Sequence, residues 1–129
     1  MKHMLPVLLL IFPVSAPAQW VEFSIRSNGD VHFYDDARVT TNGEHIDVWT
    51  RVRYGTSVMA ASSYQSLLRL DCSEPSEIIL RNTYFTDDNW TEPAMAPDDN
   101  PKPKTRVQAD SASGKLVASL CEVKSDSAN

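Results

Sequence analysis

His45 and Asp47 stand two residues apart in an alternating stretch, so on a strand they share a face. A third candidate ligand, His32, lies on the preceding run of strand character. Imidazole and carboxylate both bind zinc, and the three brought together would make a metal site. Such a site needs at least three converging ligands, and spacing alone aligns two of these. The preferred reading is that they are ordinary polar residues on the less buried face of a sheet. No metal and no cofactor is expected. Adjacent carboxylates occur at Asp35-Asp36, Asp87-Asp88 and Asp98-Asp99. Pairs of this kind in loops are solvated turn formers more often than acid and base partners. Asp87, Asp88 and the run from Asp98 to Asn100 carry oxygen enough for weak calcium binding, without the spacing of an EF-hand. Serines are plentiful, but no Gly-x-Ser-x-Gly elbow or Gly-rich oxyanion loop accompanies them. With four glycines in the chain there is no phosphate-binding glycine loop either. No catalytic residue is therefore assigned, and the protein is expected not to be an enzyme.

A different constellation carries more weight. Trp49, Arg51 and Arg53 alternate along one stretch and fall on one side of it. Trp and Arg are the residues most enriched in binding hot spots, so this side is the candidate binding surface. Two arrangements are open. A helix covers this side and Trp49 becomes core, or the helix covers the opposite side and this one meets a partner. Both sides of the stretch carry large apolar groups, which makes a homodimer a reasonable expectation.

The elements that must position these residues follow from period-two patterning. Residues 20–26 place Val21, Phe23 and Ile25 on one face, and a strand is expected there. Asn28-Gly29 is a hairpin signal, read as a type I′ turn, and residues 31–34 form the return strand. Asp35-Asp36-Ala37 breaks the run before a short strand at 38–41. Asn42-Gly43 is a second hairpin signal and introduces the longest strand, 44–54. There Ile46, Val48, Thr50, Val52 and Tyr54 share one face, and His45, Asp47, Trp49, Arg51 and Arg53 the other. The small residues of 55–63 suggest a connection passing close to another segment. Strands at 64–71 and 78–85 complete a meander of about six strands. Residues 86–103 are rich in Pro, Asp and Asn and read as a long exposed loop, mobile or functional. Arg106 and Val107 are placed in a short strand, Asp110 or Ser111 caps a helix, and Leu116, Val117, Leu120 and Cys121 share its apolar face. Gly114 weakens that helix intrinsically by about 1 kcal/mol relative to Ala.

The start of the chain bounds the compartment. Met1-Lys2-His3, an apolar run over 4–14 and Ser15-Ala16-Pro17-Ala18 have the form of a secretory signal peptide. The run is too short for a membrane span, which takes about 20 residues. A cut after Ala18 leaves 19–123 as one domain and 124–129 as a disordered tail. The residue after the cut is Gln19, where a lipoprotein would have cysteine, so an unlipidated protein of the periplasm or exterior is expected. An exported domain with only Cys72 and Cys121 is expected to pair them. Twelve basic against seventeen acidic residues give a net charge of −5, spread along the chain. This argues against a nucleic-acid or anionic-membrane partner, since both need clustered Lys and Arg.

Read together, Trp20, Tyr34-Asp35, Val48-Trp49, Arg53-Tyr54, Tyr64-Gln65-Ser66, Leu70-Asp71-Cys72, Tyr84, Trp90 and Val107-Gln108-Ala109-Asp110-Ser111 followed by Ser119-Leu120-Cys121 are informative. In that order they resemble the surface-adhesin protein E family of exported bacterial proteins. The resemblance spans the mature chain. Its most specific part is Asp-Cys closing a strand with the partner Cys late in the last helix. It implies an α+β fold, an antiparallel sheet with a C-terminal helix tethered by the disulfide. It also implies surface exposure and binding to a host extracellular protein. The alternatives kept open are a soluble periplasmic accessory protein and a metal- or small-ligand-binding module.

Overall fold

The structure, a computed structural model, describes residues 17–127. The expected signal segment falls mostly on 1–16, outside the described residues. Six strands form one antiparallel sheet in sequential order: β1 (Trp20–Ile25), β2 (Val31–Asn42), β3 (His45–Val58), β4 (Ala61–Asp71), β5 (Ser76–Phe85) and β6 (Thr105–Arg106). One helix, α1 (Ala112–Ser127), follows and lies on one face of the sheet. The expected six-stranded meander with a tethered C-terminal helix is the architecture observed. The helix runs on past Val123, where the domain was expected to end.

The core shows why the helix sits where it does. Ile46 and Val48 of β3, Leu68 and Leu70 of β4, and Val107 pack against Leu116, Val117 and Leu120 of α1. Burying side chains of this size stabilises the fold by about 1.5–3 kcal/mol each. A helix of this length is marginal alone, so its apolar face has to be buried to hold it. Two further features fix it. Ser111 caps it, accepting the Gly114 N–H at its Oγ (3.0 Å). A disulfide joins Cys121 to Cys72, in the turn just after β4. The helix therefore covers the face of Ile46, Val48, Thr50 and Val52, and leaves Trp49, Arg51 and Arg53 on the face without a helix.

Three local readings change. In β1 the register slips between Glu22 and Ser24, so Phe23 is an extra residue. The bulge turns Ser24 into the core and leaves Ile25 63% exposed, against the simple alternation. In β2 the aspartates do not end the strand. It continues from Val31 to Asn42 through an irregularity between Tyr34 and Val39. In the first hairpin Gly29 N–H bonds to the Arg26 carbonyl and Gly29 alone takes a positive φ of 92°, so its turn is not the expected type I′. The expected connection over 55–63 is instead mostly strand, with β3 running to Val58 and β4 starting at Ala61 around a tip of Met59 and Ala60, though Gly55 does pass close to a neighbour. A Cβ on Gly55 would overlap the Asn28 carbonyl and stand 2.7 Å from Gly29 Cα.

The loop after β5 is not free. It runs back along the outer edge of β5 through backbone bonds. Ala94 N–H donates to Tyr84 O (2.8 Å), Asn82 and Asp98 exchange N–H···O bonds (3.0 and 2.8 Å), and Lys102 N–H donates to Ile79 O (2.9 Å). Covering this edge satisfies polar groups that would otherwise template another strand.

Candidate functional site

The helix-free face is built outward from β3. Phe33, Arg51 and Gln65 lie side by side across β2, β3 and β4, as do Trp49 and Leu67 across β3 and β4. Arg51 donates from Nε to Gln65 Oε1 at 2.8 Å. That bond fixes the guanidinium, which lies 4.2 Å from the Trp20 ring centroid and 4.8 Å from that of Trp90. Arg53 lies 5.2 Å from Trp90 and 5.5 Å from Phe33. Phe33 and Trp90 meet edge to face at 5.8 Å. The result is a ladder in which Trp20, Arg51, Trp90, Arg53 and Phe33 follow one another. Contacts of this kind are worth about 0.5–1 kcal/mol when exposed and about 2 when desolvated. Among the described residues neither arginine is in an ion pair. Burial, and then the neighbouring Arg38 charge, push the Arg51 pKa below its ordinary value.

Trp90 comes from the loop after β5, and a single carboxylate holds it there. Asp87 accepts the backbone N–H groups of Asn89, Thr91 and Glu92 and the Thr91 hydroxyl. The hydroxyl bond, ahead of the opposing effect of desolvation, and the backbone bonds lower the Asp87 pKa to about 2. Ser63 Oγ donates to the Asp87 carbonyl at 2.6 Å and Arg53 Nε to the Asp88 carbonyl at 3.3 Å. Trp90 sits at φ 56°, a left-handed conformation unusual for an aromatic residue. Its indole N–H donates to the Tyr64 carbonyl at 3.1 Å. The Asp87 turn thus supplies the geometry that a free loop would not adopt.

At the other end of the ladder, Trp20 is placed by Asp35. The Asp35 side chain is 0% exposed. It accepts Gln19 N–H (2.9 Å) and Ala37 N–H (3.0 Å) at Oδ1 and Arg38 Nε (2.6 Å) at Oδ2. Burial alone would raise its pKa, but the bonds from Gln19, Arg38 and Ala37 together hold it below the usual range. Asp35-Asp36 is therefore a structural device around one buried carboxylate, and its aspartates do not act as a solvated pair.

The three candidate metal ligands do not converge. His32 pairs with Val52 and lines the helix side of the sheet, while His45 pairs with Asn42 and Asp71 on the other face. Their positions differ by seven residues along β3, roughly 23 Å at the rise of a strand. Asp47 is occupied by Arg69 through two bonds of 2.9 Å. Burial lowers the His32 pKa. A polar cleft of about 520 Å³ lies between the first hairpin and the start of α1, near Arg26, His32, Glu77 and Arg106. Glu77 there already accepts the Ser113 hydroxyl (2.7 Å).

Of the site residues read from sequence, Trp49, Arg51 and Arg53 share the open face, and Cys72 and Cys121 are bonded to each other. Trp20, Phe33 and Trp90 were missed as partners of the arginines. Register alone could have brought in Phe33. Trp90 is joined only through the fold of a loop.

The sequence model of surface-adhesin protein E matches residues 20–122. Among solved structures, the chain is similar to crystal form II of Haemophilus influenzae protein E, with a TM-score of 0.63 and 10% identity over 87% of this chain and 94% of that one. A further Haemophilus influenzae protein E structure gives 0.61 at 10% identity, covering 87% and 91%. Protein E from non-typeable Haemophilus influenzae gives 0.56 at 11%, covering 85% and 82%. At such identities the likeness to the solved structures is one of fold. No curated protein matches. Among the described residues no helix is long and apolar enough to cross a membrane.

Proposed function

We propose a protein-binding role on one premise: the chain belongs to the surface-adhesin protein E family. An adhesin-type role at the surface follows from that membership. The finer reading is that the protein is non-enzymatic and binds an extracellular host protein through the helix-free face of its sheet. The observation that carries it is Arg51, seated between Trp20 and Trp90 and, among the described residues, in no ion pair. A desolvated guanidinium flanked by aromatics is the composition of a binding hot spot. In a chain of net charge −5, Arg51 and Arg53, both outside any ion pair among the described residues, also select for an acidic surface on the partner. The absence of cysteine after Ala18 supports release of the protein without a lipid, free in the periplasm or outside the cell.

The test is binding of the purified protein to an immobilised extracellular-matrix extract by surface plasmon resonance. Arg51→Ala with Trp90→Ala is expected to weaken binding by on the order of 30-fold or more, the loss of about 2 kcal/mol typical of a hot spot. Lys115→Ala, on the helix, should leave it unchanged. Equal binding by all three proteins would sink the assignment of this face.

A further inference from the structure

Two independent observations meet at the backbone nitrogen of Gln19. The sequence places a signal-peptide cut between Ala18 and Gln19. The fold places that same nitrogen 2.9 Å from Oδ1 of Asp35, whose side chain has no exposure to solvent. Gln19 is held from its other side as well, because its carbonyl accepts the Asp36 N–H at 2.8 Å. Pro17 and Ala18, just before it, are exposed and belong to no strand. Gln19 is exposed too and precedes β1, so what sets it apart from Pro17 and Ala18 is the pair of bonds it makes to Asp35 and Asp36, and the proposed cut falls at the nitrogen of one of them.

We propose that the new amino terminus of the processed protein is itself a structural group, an ammonium on Gln19 held by the buried Asp35 carboxylate. Its formation balances simply. An export peptidase adds water across the Ala18–Gln19 amide. Ala18 leaves with the carboxylate, and Gln19 keeps the amine, which takes a proton at neutral pH. Before the cut a neutral amide N–H donates to Asp35; afterwards the donor carries a charge. Charge-assisted bonds are shorter and roughly twice as strong as neutral ones. The other charged groups around Asp35 are Arg38, bonded to Oδ2, and Arg51, whose charge is felt from β3. Trp20 is the next residue, and its ring lies under Arg51. The ammonium–carboxylate bond thus anchors the residue just before the first member of the aromatic–arginine ladder. It also guards the terminus chemically. A free N-terminal glutamine amine attacks its own side-chain amide and closes to pyroglutamate with loss of ammonia. An amine kept protonated by Asp35 is no nucleophile.

The exported protein, produced with its own leader, is to be analysed by intact mass. It is then treated in the folded state at neutral pH with an amine-reactive ester, and labelling of the terminal peptide is followed over time. Two comparison proteins are required: Asp35→Asn, and a form beginning at Ala18 with its disulfide formed, in which Gln19 keeps an amide nitrogen. The expected results are a mass corresponding to 19–129 with an uncyclised terminus, and labelling about tenfold slower than in the Ala18 form, as one unit of pKa elevation implies. Asp35→Asn should label at the faster rate. If that variant does not fold, the comparison of the Gln19 and Ala18 forms decides alone. A different first residue, a pyroglutamate terminus, or equal labelling rates in those two forms would overturn the proposal.

Discussion

Replacing Cys72 and Cys121 together by serine removes the covalent tie between α1 and the sheet. The bond spans 49 residues of sequence. In the chain-entropy description, freeing a loop of that length raises the disorder of the unfolded chain by about 4 kcal/mol at 25 °C. A domain of this size is typically stable by only about 5–15 kcal/mol, so the loss is a large share of the whole. At roughly 4–8 °C per kcal/mol for a small domain, the melting temperature should fall by about 15–30 °C. Urea unfolding of the oxidised protein and the double-serine variant measures the difference directly. The slope against denaturant should also rise, because the unfolded variant is more open. Hydrogen exchange adds a local readout. Amides of Ala112–Ser127 should lose more protection than those of β3 and β4, since the helix depends on its contacts with Ile46, Val48, Leu68 and Leu70. A stability loss under about 1 kcal/mol, with the native circular dichroism retained, would refute the reasoning. The helix would then be held by its apolar face alone.

Asp87→Ala should release Trp90 from the Tyr64 carbonyl and from both arginines, read as a red shift of tryptophan fluorescence and loss of binding equal to that of Trp90→Ala. The lowered Asp87 pKa gives this a pH signature. Its contribution is complete above the ordinary value of 3.8 and is lost as pH falls through about 2, so the fluorescence of the intact protein should hold to about pH 4 and shift between there and about 2. Gly114→Ala should destabilise by about 1–3 kcal/mol in thermal melts, although helix propensity alone predicts a gain, because the added Cβ overlaps the Gln108 carbonyl and stands 2.7 Å from that of Ala109. Met59→Asn with Ala60→Gly should stabilise by about 1–2 kcal/mol, since these residues hold φ values of 48° and 68° at a hairpin tip. In an alkaline absorbance titration, Tyr54 should ionise only near pH 12, held up first by burial and then by Tyr84 and Tyr64. A titration completed near pH 10 would contradict the packing of that tyrosine.

The sequence by itself determined most of the elements and their order, because strand alternation and helix spacing are local and the apolar residues follow them. It determined which residues of β3 lie together. Ile46, Val48 and Val52 are buried on one side, and Trp49, Arg51 and Arg53 lie on the other. Gly29 and Gly43 marked two hairpins in advance because their backbones need positive φ. The Met59-Ala60 tip carries no such mark, since its conformation is forced by the strands it joins. Tertiary structure alone decided which side of the sheet the helix takes, because both sides of β3 carry large apolar groups and alternation cannot rank them. It decided that Gly114 is an approach point and not merely a weak helix residue. It decided that Asp35 and Asp87, each the first of a pair of adjacent aspartates like Asp98, are the two anchors that place Trp20 and Trp90 around Arg51. A carboxylate acquires such a role from the backbone N–H groups that converge on it, and that convergence exists only once the chain has folded.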